Sequence, residues 1–214
     1  MTLSLEAIQA IGIVPVVVID DPGRATDLAH ALLEGGIGCA EFTLRTPAGL
    51  EALAAAAAVT GFIAGAGTVL TIAQADAAVD AGASFVVSPG YDAAIASRVV
   101  AGGATMVPGV ATPTEVQRAV ADGFAHVKVF PAGLLGGPDY LDALAGPFPG
   151  VRYLPSGGVD AGTLGAYLSR RHVFAASGSW MAPREAIHAG DFALVTARSL
   201  AAVATRDAAR GGDR

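Results

Sequence analysis

Short apolar runs recur along the chain, each closed by glycine, proline or a polar residue and followed by an alanine-rich stretch whose apolar positions repeat at helical spacing. The runs fall at residues 13–19, 39–43, 62–66, 84–87, 105–107, 125–130, 151–154 and 173–176, which predicts eight strands. Helices are predicted between them. Asp21 and Pro22 precede a helix over 24–34 that Gly35 and Gly36 end, and Thr112 and Pro113 precede one over 114–121 that Gly123 ends. Residues 3–10 predict an extra N-terminal helix, and the eighth helical region starts at Pro183. From first strand to eighth is about 160 residues over seven intervals, roughly 23 per unit, close to the shortest parallel βα repeat. The expected fold is therefore α/β, a single (β/α)₈ barrel of the TIM type covering residues 1–206, with a frayed tail over 207–214. An open doubly wound sheet alternates strand and helix in the same way, and only the regularity of eight units favours closure over it.

Composition narrows the class. The 214 residues are 53% hydrophobic and 15% charged, enough for one sizeable core. No apolar stretch reaches the roughly 18 to 20 residues of a membrane span. Glu6 and Gln9 interrupt the first ten residues, so no secretory leader is read there and cytoplasmic residence is expected. A net charge of −6 disfavours nucleic acid as a partner and leaves a small molecule as the carrier of any phosphate handled. Cys39 is the single cysteine, expected as a buried apolar residue. His30, His126, His172 and His188 fall on separate units with no i, i+4 pair, so no metal site is expected, and His126 is expected in core packing. Of 13 basic residues 12 are arginine; the one lysine is Lys128.

In a barrel the chemistry sits at the C-terminal strand ends and the loops beyond them. Lys128 lies in A-H-V-K-V-F-P, where alternation puts His126, Lys128 and Phe130 on one face. Burying an ammonium is costly, which favours the neutral amine that a Schiff-base nucleophile requires. A lysine that snorkels to the strand end and pairs with Glu41 fits the same position. In E-F-T-L-R-T, alternation turns Glu41, Thr43 and Arg45 inward, giving either a proton-moving carboxylate with a carboxylate-holding guanidinium or a Glu41–Arg45 ion pair capping the barrel. G-A-G-T-V-L places Thr68 after the third strand in what is either a tight turn or part of a site; two glycines do not make a dinucleotide fingerprint. The turns Ser156-Gly157-Gly158 and Ser177-Gly178-Ser179 follow strands seven and eight, where barrels place a phosphate against glycine N–H groups and a helix start. Trp180 is expected to seal the barrel top or an oligomer contact.

V-P-V-V-V from Val14, E-F-T-L-R-T, G-A-G-T-V-L, S-P-G, V-P-G-V, V-K-V-F-P-A, L-P-S-G-G-V and G-S-W occur in this order over nearly the whole chain. In this the sequence resembles the 2-keto-3-deoxy-6-phosphogluconate aldolase family, which includes 4-hydroxy-2-oxoglutarate aldolase activity. The resemblance implies that Lys128 forms the Schiff base and that Glu41 is the acid/base group, acting partly through water. It implies that Arg45 and Thr68 hold the pyruvyl carboxylate, that Ser156, Gly157, Gly158 and Ser179 bind the distal phosphate, and that Pro89 and Phe130 line the pocket. It further implies a homotrimer, no metal and no cofactor. Two positions depart from the family pattern: Ser156 stands where gluconate-specific members carry threonine, and Gly133 where many carry an acidic residue. The gluconate epimer is the expected substrate. Two other readings keep the barrel: a phosphate-barrel isomerase or synthase in which Lys128 forms no imine, and a phosphometabolite sensor without turnover.

Overall fold

A computed structural model describes residues 3–211. Its elements in order are α1 (Leu3–Ile11), β1 (Ile13–Val17), a 3₁₀ turn (Pro22–Arg24), α2 (Ala25–Glu34), β2 (Cys39–Thr43), α3 (Gly49–Ala57), β3 (Ile63–Gly67), α4 (Ile72–Asp80), β4 (Phe85–Val87), α5 (Ala93–Ala101), β5 (Thr105–Val107) and β6 (Gly109–Val110). They continue with α6 (Pro113–Ala121), β7 (His126–Val129), α7 (Gly137–Ala145), β8 (Arg152–Pro155), α8 (Leu164–Leu168), β9 (Ala176–Gly178), α9 (Arg184–Ala189) and α10 (Phe192–Gly211). Three of the helices start where a side chain satisfies one of their first amide groups. Thr71 and Asp92 cap α4 and α5, and at α6 Thr112 and Glu115 form a reciprocal capping box with Pro113 at the first position.

The fold is α/β, with a curled parallel sheet flanked by helices. Six strands pair in the order β5-β4-β3-β2-β1-β9 and three in the order β6-β7-β8. Pro108 separates β5 from β6 and accepts a hydrogen bond from the Lys128 amide at 2.8 Å. Proline has no N–H for a ladder, and the run predicted over 105–107 ends before it, so the two-residue β6 is an addition to the expected strands. Two isolated parallel bridges link the β8 and β9 segments, one from Tyr153 of β8 to Val173 ahead of β9 and one from Ser156, just past β8, to Ser177 of β9.

Alternation along the strands sorts the core. Phe42, Val86 and Met106 pack with the helices on one side, and Val127, Val129 and Tyr153 do so on the other. Their sequence neighbours Val14, Cys39, Phe85, Val87, Val107 and Leu154 form a third cluster on the opposite strand face, inside the curl. Ile8 of α1 joins that inner cluster and plugs the N-terminal end.

Three expectations are corrected. The eighth strand is residues 176–178 rather than 173–176, so Ser177 and Gly178 lie within it and only Ser179 follows it. The region after Pro183 is two helices, because Gly190 at φ +73° ends α9 in the left-handed conformation. The tail does not fray from Asp207: α10 runs through Gly211, held by Arg206, which donates to the Ile11 carbonyl at 2.8 Å, and by Arg210, which donates to the Gln9 and Phe174 carbonyls at 2.8 and 2.6 Å. These bonds tie the last turns of α10 to α1 and to the strand ends. Residues 212–214 lie outside the described residues.

Candidate active site

Two titratable side chains meet inside the curl. Lys128 projects from β7 and Glu41 from β2, and the Lys128 Nζ donates to Glu41 Oε1 at 3.2 Å and Oε2 at 3.4 Å. The Glu41 side chain is 1% exposed and that of Lys128 7%, so water does not screen the pair. The spacing lets a proton pass directly between amine and carboxylate. The aromatic ring of Phe130 lies with its centroid 5.7 Å from the Lys128 Nζ, half exposed at the mouth of the curl.

Glycine makes the room. Gly67 of β3 faces the Glu41 side chain, and a Cβ there would overlap the carboxylate. Gly109 is paired with Lys128 across the β6–β7 ladder and packs against the backbone of Pro89. Ser88 ties that wall together: its hydroxyl donates to the Gly90 carbonyl at 2.7 Å and accepts from the Gly109 amide at 3.3 Å. Gly67 and Ser88 belong to the site's construction and were not singled out by the sequence reading. Gly67 closes the G-A-G of G-A-G-T-V-L, just past the strand predicted over 62–66, and Ser88 opens S-P-G, but neither was given a role there.

The other candidates lie at the same end. Thr68 follows β3 with φ +59°, a left-handed conformation that a β-branched residue adopts only at a cost. Pro89 follows β4 and is half-buried. Ser156 is buried at the end of β8, and Gly157 and Gly158 follow at φ +82° and +83°. A Cβ on Gly157 would stand 2.9 Å from the Phe130 ring, so this turn and the aromatic residue beside Lys128 fit only without a side chain. Gly133 packs on Gly158, and its amide donates to the Gly157 carbonyl at 2.8 Å.

Arg45 is not where strand alternation put it. β2 ends at Thr43, whose hydroxyl donates to the Val17 carbonyl at 2.9 Å, and the chain then turns, leaving Arg45 exposed. Among the described residues Arg45 forms no ion pair with Glu41; the carboxylate is taken by Lys128. Arg45 instead lines a cavity of about 410 Å³ together with Ser179, Thr46 and Arg184. Arg184 is held there by Asp20, at 2.6 Å for each of two bonds, and those bonds hold the Asp20 carboxyl below its ordinary value.

Two candidates lie away from this end. His126 packs edge-on against Phe174, centroids 5.0 Å apart. Cys39 is buried in the inner cluster, its thiol donating to the Ile13 carbonyl at 3.3 Å. Trp180 lies over Gly178, where a Cβ would overlap its ring. Among the described residues no three His, Cys, Asp or Glu side chains are grouped to hold a metal ion, and no helix is long and apolar enough to cross a membrane.

Residues 5–198 match the sequence profile of the aldolase family described as KDPG and KHG aldolase. The chain belongs to this family. It is 44% identical over 200 residues to the 2-dehydro-3-deoxy-phosphogluconate aldolase of Treponema pallidum, covering 93% of this chain and 95% of that one. Among solved structures it resembles the KDPG aldolase of Legionella pneumophila, which holds pyruvate as a covalent carbinolamine intermediate, with a TM-score of 0.89 and 36% identity over 94% of this chain and 98% of that one. It also resembles the Zymomonas mobilis 2-keto-3-deoxy-6-phosphogluconate aldolase with 3-phosphoglycerate, at a TM-score of 0.87 and 37% identity over 94% and 95% of the two chains.

Proposed function

We propose that this chain is a class I aldolase that reversibly cleaves 2-dehydro-3-deoxy-6-phosphogluconate to pyruvate and D-glyceraldehyde 3-phosphate, with 4-hydroxy-2-oxoglutarate as a further substrate. The observation that carries the proposal is the buried Lys128 amine within 3.2 and 3.4 Å of the Glu41 carboxylate oxygens. Family membership and the covalent pyruvate of the Legionella structure support it.

The Lys128 nitrogen attacks the C2 ketone, and the carbinolamine loses water to give a protonated imine. Glu41 takes the proton of the C4 hydroxyl. The C3–C4 bond then breaks, its electron pair moving into the C2–C3 bond and neutralising the iminium as an enamine, while C4 leaves as the aldehyde. Protonation of C3 by Glu41, directly or through water, and hydrolysis of the imine release pyruvate and restore the amine. Arg45 and Thr68 hold the pyruvyl carboxylate at the mouth. Ser156, Gly157, Gly158 and Ser179 hold the phosphate, whose binding energy orients the distant reacting carbons. Pro89 and Phe130 form the walls. Exposure of Gly158 and Ser179 at the strand ends supports the phosphate assignment.

The same reading extends to the architecture. A single domain whose strands close into a (β/α)₈ barrel is supported by the hydrogen bond from the Lys128 amide of β7 to the Pro108 carbonyl between β5 and β6, and by the two bridges linking the β8 and β9 segments. A cytoplasmic homotrimer is the expected form, and exposed Leu70, Ile72 and Leu134 are apolar side chains that contact between copies would cover.

Borohydride reduction in the presence of pyruvate tests the mechanism. The expected result is a reduced pyruvate adduct found on Lys128 by peptide mass spectrometry; since Lys128 is the single lysine, only the α-amine competes for assignment. Folded protein that gives no Lys128 adduct with pyruvate in excess would overturn the imine mechanism.

A further inference from the structure

The end of the curled sheet opposite the mouth carries charge that the aldol reaction does not use. A cavity of about 450 Å³ opens there, bordered by α1, β8, the α8–β9 connection and the last turns of α10. Its walls hold four guanidinium groups, those of Arg152, Arg170, Arg171 and Arg210, and one carboxylate, Glu6. In a chain of net charge −6 this is a local reversal of sign.

The partners of these arginines leave much of that charge unbalanced. Arg170 faces Asp139 at 3.6 Å and Asp142 at 3.3 Å. Arg210 donates to the Gln9 and Phe174 carbonyls, which satisfy its N–H groups without supplying a counter-charge. Among the described residues the side chains of Arg152 and Arg171 have no hydrogen bond or ion pair, and both are exposed. Neighbouring groups register the resulting field. Burial and then Arg152 hold the His126 imidazole below its ordinary value. The His172 imidazole is likewise lowered by burial, with Arg170 and Arg152 adding to it against the opposing pull of Asp142.

Arginines on separate elements repel one another across a concavity, and an anion placed between them converts that repulsion into attraction. The planar guanidinium fork matches the paired oxygens of phosphate or carboxylate. We propose that this cavity binds a small polyanion, a molecule with two or more phosphate or carboxylate groups, at a site separate from the reaction centre. Arg152 and Arg171 supply the uncommitted charge, and Arg210 and Arg170 form the fixed wall. The ligand joins β8, the α8–β9 connection and α10, so binding registers as stabilisation of the native chain.

Inorganic pyrophosphate is a suitable probe, used with the full chain at low ionic strength. The phosphate turns at the mouth would also attract it, so the measurement is made in an S179D background, where an added carboxylate repels anions there. The expected result is a rise in melting temperature of about 3–6 °C at roughly ten times the Kd, diminishing with added salt. That rise disappears when R152Q and R171Q are added. No rise in S179D, or a rise that survives in the triple variant, overturns the site. If S179D does not fold, calorimetric titration of the wild type against R152Q/R171Q decides: loss of one binding event with turnover unchanged supports the site, and identical titrations overturn it.

Discussion

Glu41 is fixed by two contacts of different kinds, the Lys128 amine and the bare backbone of Gly67. Glu41→Gln keeps the shape and removes the proton acceptor. Turnover is expected to fall about 10²- to 10⁴-fold, the range for loss of a general acid/base, while slow borohydride trapping of pyruvate on Lys128 persists. Steady-state kinetics alongside trapping separates the two roles; turnover within tenfold of wild type would remove Glu41 from proton transfer. Cys39 makes a prediction about pH. Burial pushes its thiol from 9.0 up to about 12. The unfolded chain therefore loses this proton first, and the Cys39 contribution to stability, complete below about pH 8.5, declines as pH rises toward 12 by about 1.4 kcal/mol per unit. Urea unfolding of wild type and Cys39→Ala at pH 8, 9 and 10 should show the difference between them narrowing with pH. A constant difference would mean that the thiol titrates alike in both states.

At the scale of the element, α6 shows how local sequence sets a helix start. Thr112 accepts from the Glu115 amide, and the Glu115 carboxylate accepts from the Thr112 amide at 2.9 Å, so two amides that no helical carbonyl could reach are satisfied. Thr112→Ala should cost about 1 kcal/mol in chemical denaturation with little change in turnover, since α6 begins outside the reaction centre. A loss below about 0.3 kcal/mol would show that water replaces the cap without penalty. β2 illustrates the opposite case: alternation placed Arg45 inward with Glu41, but the strand stops two residues short of it. The turn that follows leaves Arg45 lining the cavity it shares with Ser179.

Over the whole molecule, the first and last helices meet at the closed side of the curl. α1 inserts Ile8 beneath the inner cluster, and α10 holds α1 through Arg206 and Arg210. Arg206→Ala removes a charged donor from the part-buried Ile11 carbonyl and should lower stability by about 1–3 kcal/mol, read by thermal and urea unfolding. An unchanged unfolding curve would mean that α10 packs there without this bond. The mouth, by contrast, is built from short turns on separate strands, so substitutions at the closed side should change stability more than KM.

The order of apolar runs and breakers determined the alternation of strands and helices, because that periodicity is a local property of the chain. Motif order identified the family, and the uniqueness of Lys128 marked it before any coordinates. Tertiary structure decided the rest. Residues 87 apart in sequence became the Lys128–Glu41 pair only when β2 and β7 faced one another. Gly67 became a space for a carboxylate, and five scattered arginines became a latch and a charged cavity. Residues 207–211 looked frayed because their composition is that of a solvated end, and they are helical where Arg206 and Arg210 reach carbonyls about two hundred residues earlier. Local pattern reports which face of an element is apolar; which faces meet depends on long-range packing.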